Sequence, residues 1–327
     1  MTKMRRAGER MRRCLMAASL LVLAACDAGT VAAPRAVEPG RAGWSIAPAG
    51  DLNSFFECLE AQGITLVDAH RGGPRPGFPE NALETLERTL AEVPAILEID
   101  VATSADGVLY LMHDDTVDRT TTGRGATDAS GWAEISNLAL IDNDGARTNF
   151  RPTRFVDALA WSKARTILAV DFKPTTRYED VIAEITRQQA EDRVILIAYA
   201  PAQAEKLHRL APEMMISLSV STQSDLNRVI AAGVPSDRLI GFTGVEDPNS
   251  RLFSVLNSQD VEVIFGTLGG SRSIDKEIAA SGGDGYYATL AEMGVDLIAT
   301  DRPVEAQKAL DQAGKGAVAG SCGIDRS

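Results

Sequence analysis

The 327-residue chain offers no apolar run suited to a stable bilayer span. The segment Leu15 to Ala25 falls well short of the roughly 20 residues that such a helix needs. Only four cysteines are present, Cys14, Cys26, Cys58 and Cys322, and their spacing resembles no zinc motif. No Gly-x-Gly-x-x-Gly follows the first strand candidate, which removes the usual support for a nucleotide-binding sheet. There is no internal repeat and no sign of a second domain. Histidine is equally scarce, with three in the whole chain, so any clustering of them is informative.

Basic residues are outnumbered, 33 against 45 acidic ones, and several of them crowd the N-terminus. Arg5, Arg6, Arg10, Arg12 and Arg13 precede the apolar run Leu15 to Ala25, the pattern of a secretory signal. Its end, Leu23-Ala24-Ala25-Cys26, resembles a bacterial lipobox. The expectation is a lipoprotein signal over 1–25, lipid on Cys26, a flexible Ala-, Pro- and Gly-rich tether over 26–50 and one domain over 51–327. An ordinary cleaved signal with an incidental Cys26 is the alternative. The product is then an exported, membrane-anchored lipoprotein in the periplasm, touching the membrane through its lipid. Cleavage would leave 27 basic and 44 acidic residues, a net charge of −17. So acidic a chain is a poor partner for nucleic acid or an anionic membrane surface, and it binds an anion only where cations locally reverse the sign.

From residue 64 onward, short β-branched apolar runs alternate with amphipathic stretches, which favours parallel strands wrapped by helices. Strands are expected at 64–69, 95–101, 166–172, 194–199, 214–220, 239–243, 261–266 and 295–300. Eight such units in roughly 250 residues fit a (β/α)8 TIM barrel, with an open doubly wound sheet as the runner-up. Residues 103–152 are too many for an ordinary loop and read as a small insertion after the second strand, with an extra strand at 108–112. Leu83, Leu86, Leu90 and Val93 share one helical face behind a plausible cap at Asn81. In a barrel both Cys58, in a helix before the first strand, and Cys322, after the last helix, belong to the bottom face. They either form a disulfide there or remain a buried Cys58 and a free Cys322 in a Gly-rich tail.

The polar residues fall at strand ends, where a barrel carries its site. His70, Arg71, Glu98, Asp100, His113, Asp171 and Lys173 supply oxygen ligands for a hard cation, positive groups for a phosphate and imidazoles for proton transfer. Alternation puts Glu98 and Asp100 on one side of their strand and Leu97, Ile99 and Val101 on the other. Two inward carboxylates repel each other unless a cation sits between them. Glu98, Asp100 and Asp171 are therefore the expected ligands of Mg2+ or Ca2+, with salt bridges to Arg71 and Lys173 as the alternative, and Arg71 and Lys173 are the expected phosphate-binding pair. Glu80 and Asn81 either cap the first barrel helix or contact metal or substrate. His208 lies on a helix beside Lys206 and Arg209 and reads as a surface residue.

The series His70-Arg71-Gly72, Pro79-Glu80-Asn81, Glu98-x-Asp100, Asp106-Gly107, His113-Asp114, Arg119-Thr120-Thr121 and Gly123-x-Gly125 resembles the glycerophosphodiester phosphodiesterase family. Asp171-Phe172-Lys173 and the stretch Gly294-Val295-Asp296 to Thr300-Asp301-Arg302-Pro303 extend the similarity, so that it covers 64 to about 310. The resemblance implies metal-dependent hydrolysis of glycerophosphodiesters to glycerol phosphate and an alcohol, with one of His70 and His113 as base and the other as acid; the sequence does not say which is which, and His70 is taken as the base. The attacker can be the substrate's own glycerol hydroxyl, through a cyclic phosphate that water later opens. A phospholipase D-like lyase that releases the cyclic phosphate, or a non-catalytic phosphodiester-binding lipoprotein, are the alternatives. Two positions depart from the family pattern. Asp171 stands where Glu is usual, and Phe265-Gly266-Thr267-Leu268 stands where a Trp-Thr pair commonly lines the pocket.

Overall fold

The computed structural model describes residues 43–327. The expected signal segment, Cys26 and the tether as far as residue 42 lie outside the described residues. The described residues begin with β1 (Trp44–Ile46) and α1 (Leu52–Gln62). The Asp51 carboxylate accepts the Ser54 amide at the start of α1, and Gly63 ends it at φ +65°, a left-handed turn that costs glycine no Cβ clash. There follow β2 (Leu66–Ala69), α2 (Leu83–Glu92), β3 (Ala95–Thr103), β4 (Leu109–Leu111), α3 (Trp132–Ile135), α4 (Phe155–Ser162), β5 (Leu168–Phe172) and α5 (Tyr178–Arg187). The second half continues through β6 (Val194–Ala198), α6 (Pro201–Leu210), β7 (Met215–Ser219), α7 (Gln223–Ala231), β8 (Leu239–Phe242) and α8 (Ser250–Asn257). It ends with β9 (Glu262–Gly266), α9 (Ile274–Ser281), α10 (Tyr286–Glu292), β10 (Leu297–Thr300), α11 (Pro303–Gln312) and β11 (Ile324–Arg326).

Strands β2, β3, β5, β6, β7, β8, β9 and β10 pair in parallel in that order, and β10 pairs back to β2, which closes the barrel. All eight strands coincide with the expected runs, because strands covered on both faces are apolar along their whole length. The topology is that of a (β/α)8 barrel. β4 extends it at one edge, antiparallel to the outer end of β3 with Leu111 opposite Val101. It belongs to the insertion between β3 and α4, which has its own small core of Ala102, Tyr110, Met112, Val117 and Ile135.

Alternation along the strands separates two larger cores. Leu97, Ile99, Val101, Leu168 and Val170 face the helices, together with Leu86 and Leu90 of α2. Ile96, Ala169, Ile195, Ile240, Ile264 and Leu297 face the barrel interior, where they join Phe55, Phe56 and Leu59 of α1. Helix α1 therefore plugs the bottom of the barrel and leaves the other end open. Burying each phenylalanine contributes roughly 2–3 kcal/mol.

One feature near the chain ends differs from expectation and another decides between two readings. Within the stretch 26–50 expected as a tether, Trp44–Ile46 forms a strand antiparallel to Ile324–Arg326, with Trp44 opposite Arg326. Of the two readings of Cys58 and Cys322, the disulfide is the one observed. Cys322 bonds to Cys58 of α1, 264 residues away, with their Cα atoms 5.7 Å apart. The strand pair and the disulfide together tie the two ends of the described chain across the closed face.

Candidate active site at the barrel mouth

The inward residues at the C-terminal ends of β2, β3 and β5 form the charged side of a cavity of about 220 Å³. Asp100 of β3 lies opposite Asp171 of β5 in the parallel register, and Glu98 lies one inward position deeper. One oxygen from each of Glu98, Asp100 and Asp171 comes within 4.8 Å of the others, and all three residues are buried. This is the triad expected as a hard-cation site. Burial, followed by the nearby Asp100 and Asp171 charges, raises the Glu98 carboxyl well above its ordinary value. Asp100 moves the other way. Burial opposes its ionisation, but Lys173, His113 and Arg71 hold its carboxyl below the usual value.

Lys173 Nζ lies 2.6 Å from both Asp100 Oδ1 and Asp171 Oδ2. Burial opposes its charge, yet these two carboxylates raise its pKa, so the ammonium persists. Tyr199 donates its phenol to the same Asp171 oxygen at 2.9 Å. Asp171 Oδ1 remains buried without a hydrogen-bond partner. An orphaned carboxylate oxygen facing two further carboxylates is the arrangement that a divalent cation completes, so the donor set fits such an ion.

Each histidine pairs with an aspartate. His70 Nδ1 is 2.7 Å from Asp301 Oδ1, and His113 Nδ1 is 2.7 Å from Asp114 Oδ1. Arg71 Nε donates to His70 Nε2 at 3.2 Å, so the Nδ1 proton of His70 goes to Asp301 and the Nε2 lone pair accepts from Arg71. Burial works against the Asp301 charge, but hydrogen bonds and charge from His70 bring its carboxyl below the ordinary value. Hydrogen bonds from Arg119, opposed by burial and helped by His113, place Asp114 well below the usual carboxylate range.

Arg119, from the insertion, connects the two halves. Its guanidinium reaches Glu80 at 2.8 and 2.9 Å and Asp114 at 2.7 and 2.8 Å. Glu80 also accepts Arg71 Nη1 at 3.0 Å. A continuous series of hydrogen bonds thus runs from His70 through Arg71, Glu80, Arg119 and Asp114 to His113. Glu80, His113 and Asp114 also lie close enough to share a cation, but the Arg119 guanidinium already neutralises that group.

Asn81 does not cap α2. The residue before that helix is Ala82, which makes no side-chain cap bond. Asn81 adopts φ +57°, and its side chain donates to Asp100 Oδ2 at 2.7 Å while accepting the Asp100 amide at 2.9 Å. Arg71, at φ +51°, gives its own amide to Glu98 Oε2 at 2.7 Å. Two non-glycine residues held in the left-handed region therefore aim polar groups at the triad, at a cost of about 1–3 kcal/mol each. Between them, Gly72 at φ +82° lies where a Cβ would meet Leu86 at 2.3 Å, so only glycine fits.

Sequence reasoning assigned no role to Asp301, Asp114, Arg119 or Tyr199. Signals existed for two of them: Asp301 directly follows the last strand of the barrel, and Tyr199 keeps the inward parity of β6. His208 lies on α6, away from the cavity lining.

Residues 70–305 match the sequence model of the Glycerophosphoryl diester phosphodiesterase family. The chain belongs to that family. The glycerophosphoryl diester phosphodiesterase match makes it a phosphoric diester hydrolase in class. A Bacillus subtilis relative, the uncharacterized protein YqiK, is 26% identical over 248 residues, which is 72% of this chain and 99% of that protein. A solved glycerophosphoryl diester phosphodiesterase from Parabacteroides distasonis superposes with a TM-score of 0.80 at 27% identity, covering 87% of this chain and 100% of the other. An Oleispira antarctica phosphodiesterase in complex with the product sn-glycerol-3-phosphate shares the fold, with a TM-score of 0.59 at 20% identity over 76% of this chain and 97% of that one.

Proposed function

We propose that the protein hydrolyses glycerophosphodiesters to glycerol phosphate and an alcohol, with a divalent cation and two histidines acting in acid and base roles. The observation that carries this reading is the convergence of three buried carboxylates, two His–Asp pairs and two cations on one barrel mouth. Glu98, Asp100 and Asp171 would hold the ion, Mg2+ or Ca2+. When bound, it supplies positive charge to the phosphoryl oxygens and lowers the charge density of the triad.

The remaining chemistry belongs to side chains. Arg71 and Lys173 set the substrate's phosphate in place, Arg71 with its guanidinium held by Glu80 and Lys173 with an ammonium kept charged by two aspartates. Asp301 holds His70 Nδ1 as the donor, so His70 takes the proton of the attacking hydroxyl at Nε2 once Arg71 Nε leaves that nitrogen for the phosphate. His113 gives a proton to the departing alkoxide, and the anionic Asp114 stabilises its cationic form. In this first step the P–O bond to the attacking glycerol hydroxyl forms and the P–O bond to the departing alcohol breaks, giving a cyclic phosphate; water then opens it with the two histidines in reversed roles, one further P–O bond forming and one breaking, which gives glycerol phosphate. The product complex of the Oleispira antarctica neighbour supports this substrate class.

The reading extends to location. The signal-like N-terminus with Cys26 supports an exported, lipid-anchored periplasmic protein, and the Cys58–Cys322 disulfide suits an oxidising compartment. Incubation of the purified protein and Mg2+ or Ca2+ with glycerophosphodiesters tests the activity. Release of glycerol phosphate is expected, and its absence with every substrate and either ion refutes the reading.

A further inference from the structure

Each carboxylate of the buried triad has a neutral protein donor on one of its oxygens. The Arg71 amide donates to Glu98 Oε2 at 2.7 Å, the Asn81 side chain to Asp100 Oδ2 at 2.7 Å and the Tyr199 phenol to Asp171 Oδ2 at 2.9 Å. The kind of donor matters. The Lys173 ammonium, which touches Asp100 and Asp171, cancels charge that a cation would otherwise meet, whereas an amide or a phenol fixes an oxygen and leaves the carboxylate its full charge.

Asp171 has the thinnest support of the three. Glu98 is held by a backbone amide and Asp100 exchanges two hydrogen bonds with Asn81, but the Asp171 side chain has, among the described residues, only Lys173 and Tyr199. Lys173 is shared with Asp100 and sits on a flexible four-carbon stem, so without the phenol the Asp171 carboxylate would depend on that one ammonium. Tyr199 is placed for this contact. It follows β6 directly, shares the inward parity of Ile195 and Ile197, and its own amide donates to Gln203 Oε1 of α6 at 2.7 Å. The residue is 61% exposed, so burial of the ring does not account for its position. We infer that Tyr199 is a positioning residue for the cation, its phenol setting the Asp171 carboxylate so that Oδ1, which has no other partner, is offered to the ion. This rests on the proposed reading of the triad as a cation site and adds to it a side chain that the proposed hydrolysis does not use.

The test is equilibrium binding of Mn2+, an oxygen-seeking ion visible by electron paramagnetic resonance, to the purified protein freed of metal and without substrate, for wild type, Tyr199→Phe and Tyr199→Ala. Y199F should weaken the Mn2+ dissociation constant about 10- to 100-fold, the usual cost of losing a partner behind a metal ligand, and Y199A should bind no more than about threefold more weakly than Y199F. The melting temperature of metal-free Y199F should match that of wild type, because an exposed ring contributes little to packing. A Y199F protein that binds Mn2+ as wild type does overturns the inference and leaves the triad standing as a cation site, even if its KM rises, since the phenol then serves the substrate. Weakened binding in Y199A alone assigns the effect to the ring and overturns it as well. A metal-free Y199F protein that melts well below wild type marks a structural role and counts against it in the same way. Wild-type protein that binds no Mn2+ refutes the cation reading of the triad itself, and the inference falls with it.

Discussion

Arg119→Ala probes the link between the two histidines. In the native protein this side chain alone joins Glu80 to Asp114, with four contacts between 2.7 and 2.9 Å. After its removal Glu80, which is only 2% exposed, keeps a single partner in Arg71, and Asp114 keeps only His113. Charge-assisted hydrogen bonds contribute about 1.5–3 kcal/mol each when buried, but Arg119 is nearly half exposed and solvent screens it. A loss of about 1.5–3 kcal/mol in transition-state stabilisation follows for the whole contact set, or roughly 10- to 150-fold in kcat/KM. The pH profile provides a readout that a simple packing defect does not. Asp114 has a depressed pKa in the folded protein, so its anionic grip on His113 exists above that pKa and is lost as pH falls through it. Arg119 is the first cause of the depression, and its loss moves the Asp114 carboxyl upward, which shifts the acid limb of activity to higher pH. Steady-state assays from pH 2 to 8, each paired with circular dichroism to confirm a folded protein, on wild type, Arg119→Lys and Arg119→Ala measure this, with added guanidinium as a rescue agent. An Arg119→Ala enzyme with wild-type kcat/KM and an unmoved acid limb refutes the proposed link.

His70→Ala and His113→Ala should each lower turnover by at least ~10²-fold with circular dichroism unchanged, and the double variant should be little worse than either single one; near-full activity in either single variant removes that residue from the chemistry. Asp301→Asn keeps the shape but not the charge beside His70, and should cost roughly 10- to 100-fold in kcat with little change in KM, since the imidazole loses its charged hydrogen-bond partner; an effect on KM alone contradicts an orienting role. Removal of the disulfide by Cys58→Ser with Cys322→Ser should lower stability by about 2–4 kcal/mol in denaturant titrations and leave activity at 25 °C largely intact; equal stability of the two proteins shows that β1 and β11 suffice to hold the ends.

The barrel was legible because each parallel strand is a continuous apolar run set off by an amphipathic helix, a pattern that eight repetitions make hard to mistake. The carboxylate triad was legible for a similar reason. Glu98 and Asp100 share parity on one strand, and Asp171 ends the next barrel strand, so strand geometry alone carries them to one place. What stayed hidden depends on contacts between distant residues. β1 and β11 are three residues each and are stable only as a pair, separated by nearly the whole described chain. Asn81 has the composition of a helix cap, but its partner is Asp100 on a neighbouring strand, and no local pattern announces a bond across that distance. The assignment of Asp301 to His70 and of Arg119 to both Glu80 and Asp114 likewise arises only when the barrel closes and the insertion folds over it.

Metal dependence is the most direct test of the account. Glycerol phosphate release by the purified protein should fall to background after exhaustive EDTA treatment and return on titration with Mg2+ or Ca2+, because Lys173 neutralises only part of the buried Glu98, Asp100 and Asp171 cluster and a cation completes it. Glu98→Gln should weaken the metal concentration dependence by at least ~10-fold. Turnover unchanged by EDTA in protein verified to be metal-free would contradict the account at its centre.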